Sequence, residues 1–336
     1  MTGFVKVGSH SVSYRKSMIK NVLVVGGAGY IGGCVTDALA WKKIPFTVLD
    51  NLTYENHYLK PVPFIYGDVR NKTLLKKILP RYSHVIWLAA IVGDGACAIR
   101  PEITKSVNQN AVGWLAKNYN GKIIFTSTCS VYGVSKGPVT ETSPVNPLSV
   151  YAKTKLQAEK YLSGKKAMIF RLGTAYGISD SYSRIRMDLA INYMTMNAIA
   201  HKKLTIYGGK QWRPFIHVKD IGQTVVAVLD ERLAGTYNLA TQNATILEIA
   251  KVIKSQTKCT IEITDQKFQD DQSYNAITTK ARADRIMSSV KKHTITFGVS
   301  EVKDLVLSHR IKNLDLELYS NEKFLLQAIR DYEKIN

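Results

Sequence analysis

The chain has 336 residues, 45% of them apolar and 21% charged, with 22 Gly and 9 Pro, which excludes a small stapled scaffold, a collagenous chain and a disordered one. Its 46 Lys and Arg against 26 Asp and Glu leave a formal charge of +20, so acidic partners are expected, and nucleic acid, anionic membrane surfaces and phosphorylated small molecules all suit it. Four cysteines without a C-x-x-C pair and seven scattered histidines point to no metal and no disulfide framework, hence to a reducing, cytoplasmic setting.

In chain order, residues 1 to 17 contain no acid and precede Met18; they read as an extension or upstream start, with a transit-like segment as the alternative. The run 21 to 33, NVLVVGGAGYIGG, predicts a buried strand, a glycine turn and a helix. Further strands are expected at 46 to 50, 61 to 68, 84 to 90, 122 to 128 and 167 to 173, alternating with helices near 71 to 79, 103 to 118 and 150 to 163. Continuous apolar strands between helices predict a doubly wound parallel α/β sheet. The longest apolar run, 85 to 93, ends at Asp94, short of the roughly 18 residues that a membrane span needs, so no membrane partner is expected. Beyond about 175 the alternation weakens into a smaller mixed lobe, with helices at 187 to 200, 219 to 230 and 246 to 255, a strand at GTYNLA and a polar loop at 267 to 275.

Gly26, Gly29 and Gly32 stand where strand passes into helix, spaced G-x-x-G-x-x-G. There a bare backbone can approach a pyrophosphate, although a tight turn alone would use the same glycines. Asp50 closes the second strand 18 residues after Gly32, placed to bond an adenosine ribose and repel a 2′-phosphate, which favours NAD over NADP. Asp68 suits either the adenine edge or a helix cap. Tyr151 and Lys155, one turn apart on a predicted helix, together with Thr128 at a strand end, form an acid/base set for a hydroxyl substrate. His217 reads as a structural histidine.

With these residues in place, the sequence resembles the extended short-chain dehydrogenase/reductases called NAD-dependent epimerase/dehydratases. The resemblance runs through GGAGYIGG, DN at 50 and 51, GDVR at 67 to 70, WLAA at 87 to 90, STCSVYG at 127 to 133, YAKTK at 151 to 155, RLGTAYG at 171 to 177 and RPFIHVKD at 213 to 220. It implies a Rossmann-type domain over 20–175, following an extension over 1–19, and a substrate lobe over 176–336 from which some segments return to the Rossmann core. It implies NAD held by Gly26, Gly29, Tyr30, Ile31, Gly32, Asp50, Asn51, Asp68, Val69, Leu88, Ala89, Ala90, Tyr151 and Lys155. It implies catalysis by Thr128, Tyr151 and Lys155, with a nucleoside-diphosphate sugar contacted by Thr128, Thr174, Arg213 and Gln272.

Asp94 suits either sugar hydroxyls or a loop cap, and Arg184 and Arg186 suit either phosphate or a solvated basic loop. Cys129 and Ser130 stand where the family's dehydratases carry Asp-Glu, and Thr174 stands where its epimerases carry Asn. The first departure argues against dehydration; Thr174, and Gln272 in place of a late family arginine, argue against the usual UDP-hexose substrate, and epimerisation through a 4-keto sugar remains the expected activity. A 4-dehydrogenase or ketoreductase that releases the keto sugar is the first alternative; a non-catalytic NAD- or RNA-binding protein is a distant one. No nucleic-acid partner is expected, because no RNA motif with stacked aromatics is visible. Val107, Ala111, Trp114 and Leu115 recur at helical spacing; such a stripe either pairs in a homodimer, as the resemblance implies, or packs on its own sheet.

Overall fold

A computed structural model describes residues 19, 21–55, 58–266, 273–311 and 317–335; nearly all of the expected extension, and Gln272, lie outside them. Four apolar residues form β1 (Val22–Val25), all fully buried. The chain then turns through glycines into α1 (Tyr30–Trp41) and continues through β2 (Phe46–Asp50), β3 (Phe64–Tyr66), α2 (Lys72–Ile78) and β4 (His84–Trp87). α3 (Asp94–Ile99) and α4 (Pro101–Lys105) lead through a wide π turn at Ser106–Asn110 into α5 (Ala111–Asn118). β5 (Lys122–Thr128) and β6 (Val134–Val139) precede α6 (Val150–Leu162), whose first turn is capped by Ser149 Oγ accepting from Ala152 N at 3.2 Å. β7 (Ala167–Leu172) follows.

The second half comprises β8 (Thr174–Tyr176), α7 (Ala190–His201), β9 (Lys203–Tyr207), β10 (Trp212–His217), α8 (Val218–Ala227), β11 (Gly235–Leu239), β12 (Gln242–Thr245), α9 (Ile246–Thr257), β13 (Thr260–Thr264), β14 (Ser273–Ala276), α10 (Thr279–Ala283), α11 (Ile295–Leu307) and α12 (Asn321–Ile335). Seven strands pair in the order β11-β7-β5-β4-β1-β2-β3, all parallel, so the expected doubly wound sheet is present. Alternate residues feed opposite layers: Leu23 and Val25 pack with Leu75, Val112 and Leu115, while Val22 and Val24 pack with Leu39, Ile221 and Val225. Strand order reverses between β1 and β4, which opens a crevice beyond their carboxyl ends.

Two segments of the second half, α8 and β11, complete this core. α8 lies so close to α1 that a Cβ built at Gly222 would meet the Cys34 carbonyl carbon at 2.7 Å. The polar stretch expected as a loop differs over its last three residues: 273 to 275 belong to β14, which pairs in parallel with β6. The alternation in β14, with Tyr274 and Ala276 buried and Ser273 and Asn275 less so, spans only four residues, too few to mark a strand in the sequence. The stripe on the 103 to 118 helix is covered from within, since Ala111 and Leu115 are buried in one sheet layer and Val107 and Trp114 pack against it.

Candidate active site

The glycine turn is shaped by what lies against it. Gly26 has φ +81°, and a Cβ there would stand 2.5 Å from Ala89 N; one at Gly32 would stand 2.4 Å from Gly27 O. Only glycine fits either place. Gly29 has no heavy atom nearer than 3.6 Å to such a Cβ, and it caps α1 without a side-chain bond. The N–H groups of a twelve-residue helix are thus left facing the crevice, as an anion site requires. Asp50 Oδ2 accepts from Ala28 N at 3.0 Å and Oδ1 from Leu52 N at 2.8 Å, so the carboxylate that closes β2 also braces the turn. Burial pushes its pKa up.

A cavity of about 370 Å³ occupies this crevice. Its wall includes Gly26, Gly29, Tyr30, Ile31, Gly32, Asp50, Asn51, Val69, Leu88, Ala89, Ala90, Tyr151 and Lys155. Asp68 stands back from it: its carboxylate takes bonds from Arg70 Nε at 2.9 Å and from Asn51 Nδ2 at 3.1 Å, and the Arg70 bonds hold it below the usual carboxylate range. It caps no helix, because Asn71 Oδ1 caps α2 by accepting from Leu74 N at 3.0 Å.

Tyr151 and Lys155 reach the cavity from successive turns of α6. The Lys155 ammonium lies 4.3 Å from the Phe125 ring centroid. Burial lowers its pKa to about 7 and raises that of the Tyr151 phenol. Thr128, at the end of β5, accepts from Ser130 N and donates to Ser130 Oγ, both at 3.1 Å. Ser130 Oγ meets Tyr274 OH at 3.3 Å, and the Arg213 guanidinium lies 5.4 Å from the Tyr274 ring centroid. Thr128, Ser130, Tyr274 and Arg213 therefore form a largely buried polar cluster, and neither Thr128 nor Arg213 is in the cavity wall. Asp94 and Thr174 are likewise outside it, whereas Arg184 and Arg186 line it. His217 is fully buried, its Nε2 2.7 Å from Glu301.

Three positions escaped the sequence reading. Glu159 follows Lys155 by one turn, takes three bonds from Arg171 at 2.8 to 3.2 Å and accepts one from Ser127 Oγ; the spacing Tyr151, Lys155, Glu159 on one helical face could have signalled it. Asn108, in the π turn, bonds both the N–H and the carbonyl of Ile91 at 2.8 Å. Asn321 opens α12, which lines the cavity with Leu325 and Ile329. No sequence signal tied that distant segment to the site.

A Rossmann sheet with an open helix N-terminus at its switch point, a carboxylate closing β2 and a Tyr-Lys pair in one cavity defines a dinucleotide-dependent enzyme. The residues fit NAD: Gly26 and Gly32 leave no room for a side chain, while Gly29 leaves the approach open. The model of the NAD dependent epimerase/dehydratase family matches residues 22–240, and the chain belongs to that family. It is an NAD-dependent nucleotide-sugar epimerase or a related oxidoreductase. It is 28% identical over 322 residues to a UDP-glucose 4-epimerase 3 of Oryza sativa subsp. japonica, covering 80% of this chain and 85% of that one. It is also 28% identical over 300 residues to a UDP-glucose 4-epimerase of Lactobacillus helveticus, covering 78% and 89%. Among solved structures, Pal from Bacillus thuringiensis superposes with a TM-score of 0.72 at 25% identity, over 86% of this chain and 99% of that one. The Thermus thermophilus UDP-glucose 4-epimerase in complex with NAD does so with a TM-score of 0.71 at 24% identity, over 84% and 99%. Among the described residues no helix is long and apolar enough to cross a membrane.

Proposed function

We propose that the chain is a nucleoside-diphosphate-sugar 4-epimerase: it oxidises the sugar C4 hydroxyl to a 4-keto sugar and reduces that ketone from its other face. The observation that carries this reading is the meeting of Tyr151 and Lys155 with the glycine turn and Asp50 in one cavity. NAD, when bound, would supply the hydride acceptor and a positive charge that favours the phenolate. Tyr151 takes the hydroxyl proton and later returns it; Thr128 Oγ1, at the end of β5, orients the reacting oxygen. Bringing a phenol from about 10 to about 7 takes some 4 kcal/mol, and the burial of Tyr151 adds to that demand. Lys155 meets part of it, because a phenolate beside the ammonium draws the proton back onto nitrogen and the pair titrates as a unit.

Arg213 and Thr174 are proposed to face the sugar nucleotide from the second half, which leaves the glycine-turn cavity to the cofactor. The four cysteines are free and buried, which suits a reducing compartment, cytoplasmic in this reading. A homodimer through α5 and α6, as the family resemblance implies, is the proposed assembly. Light scattering giving twice 37.5 kDa supports it, and a monomer removes it.

The test is incubation with UDP-hexoses and UDP-pentoses, with products resolved by NMR and nicotinamide absorbance followed in parallel. The expected result is equilibrium between C4 epimers without net NADH. Keto sugar and NADH appearing in equal amounts would make the protein a 4-dehydrogenase.

A further inference from the structure

Among the described cations that line the cavity, Arg184 is the one with a fully buried nitrogen that lacks a hydrogen-bond partner. Arg184 is 8% exposed, and its Nε is buried without a hydrogen-bond partner among the described residues. Its other two nitrogens donate to the Leu318 carbonyl and to Asn321 Oδ1. Its guanidinium lies 5.6 Å from the Tyr54 ring centroid and 5.3 Å from that of Phe324. Burial, and then the charge of Arg186, pull its pKa below the ordinary arginine value. Arg186 has Asp188 at 2.9 Å, and the Arg184 backbone N–H has both Glu55 oxygens at 3.0 and 3.1 Å. Among the described residues no carboxylate pairs with the Arg184 guanidinium. A buried, partly unsatisfied cation is costly unless an anion completes it.

The position selects the anion. Segment 183 to 186 packs on the glycine turn: Ser183 Oγ donates to Gly29 O at 3.3 Å, and the Arg186 guanidinium lies 5.6 Å from the Tyr30 ring centroid. Arg184 thus lines the same cavity as Gly29 and Tyr30 at the open N-terminus of α1, and Arg213 is not in that wall. What fixes it there is the first residue of α12. Asn321 accepts from Arg184, donates through Nδ2 to Val92 O at 3.1 Å, and takes Asp188 Oδ2 on its own N–H at 2.8 Å.

We propose that Arg184 binds the diphosphate of NAD and that Asn321 is its positioning residue, so that the C-terminal helix completes the cofactor site. The same chemistry could serve the diphosphate of the sugar nucleotide, and the experiment separates the two sources. The inference rests on the family's cofactor and stands whether or not the reaction is an epimerisation.

Cofactor-stripped wild type, Arg184→Gln, Asn321→Ala and the double variant are titrated with NAD, adenosine and UDP. Losing a charge-assisted bond to phosphate should weaken NAD by roughly ten- to a hundredfold in Arg184→Gln. Adenosine, which has no diphosphate, and UDP, whose diphosphate reports on the substrate site, should each shift by less than about twofold. Asn321→Ala should reproduce most of the loss, and the double variant should be no worse than Arg184→Gln, because the two residues act in series. UDP weakened with NAD unchanged would assign the guanidinium to the substrate and overturn the proposal. So would equal weakening of all three ligands, which marks a structural defect, or no change in any. An additive double variant would remove the positioning role. Should Arg184→Gln fail to fold, Arg184→Lys, which keeps the charge but loses the fork, is read against the same outcomes.

Discussion

Arg171 closes on Glu159 with both side chains more than nine-tenths buried, at 2.8 Å between Nη2 and Oε2. This carboxylate, one turn beyond Lys155, is committed to Arg171 and to Ser127 near the carboxyl end of β5. Glu159 is thus paired away from Lys155, which leaves the protonated form of Lys155 to stabilise a phenolate. The pair also ties α6 to β5 and β7, so the elements that carry Thr128 and Tyr151 are held by one ionic contact.

Glu159→Ala should strand the Arg171 charge in the interior. Breaking a buried pair from one side typically costs about 3 to 5 kcal/mol, so urea denaturation should show a loss of that order. Replacing Arg171 by Met as well should recover part of it. A single-variant loss below about 1 kcal/mol would show that solvent reaches the site.

The parts of this site legible in the sequence were those carried by local patterns. VLVV ahead of three spaced glycines announces β1 and the helix that follows, and the four-residue step from Tyr151 to Lys155 needs only a helix to bring both to one face. Glu159 also lies within one turn of that motif, yet its partner Arg171, on β7, gives no local sign of the pairing. Asn321 and Arg184 are 137 residues apart, and β6 meets β14 across a similar gap, so their meeting is decided by tertiary packing alone. Asp68 was legible as a strand-end carboxylate, but its capture by Arg70, two residues on, competes with the adenine contact the pattern suggested.

Lys155 should make the stability of the NAD-free enzyme depend on pH. Burial lowers its folded-state pKa from 10.5 to about 7. Between those values the unfolded chain binds a proton that the folded protein does not. Stability therefore rises with pH across that window, by up to about 1.4 kcal/mol per pH unit, and is lost as pH falls toward 7. Lys155→Met should remove the Lys155 share of this slope and leave that of Lys122, whose pKa burial lowers to about 8. Urea denaturation of both proteins between about pH 7.5 and 9.5 measures it, and parallel stabilities would refute the burial argument.

Asp50 should set cofactor choice and also hold the turn. Its carboxylate at the end of β2 is expected to favour NAD over NADP by at least roughly tenfold, about 1.4 kcal/mol. Asp50→Ala should relax that preference. It should also weaken both cofactors, because Ala28 N and Leu52 N lose their acceptor. Titration of stripped protein with each nucleotide is the measurement, and equal affinities in the wild type would defeat the assignment.

Gly26 and Gly29, three residues apart in one turn, should respond to the same substitution in opposite ways. Gly26 combines φ +81° with backbone atoms of Ala89 at 2.5 and 2.7 Å from any added Cβ, and those atoms belong to the loop after β4. A left-handed conformation costs a non-glycine residue about 1 to 2 kcal/mol, and the clash adds to it, so Gly26→Ala should lower the melting temperature of the apoprotein. Gly29 sits at φ −78°, ψ 177°, where alanine is unstrained, with nothing inside 3.6 Å. Gly29→Ala should leave apoprotein stability within about 1 kcal/mol, alanine being only a poorer helix cap. Its methyl, however, stands where a pyrophosphate must approach the N-terminus of α1, and NAD binding should weaken by at least roughly tenfold. Thermal melts of the apoproteins and NAD titrations distinguish the two variants; a destabilised Gly29→Ala that still bound NAD normally would mean that the pyrophosphate does not lie on this helix.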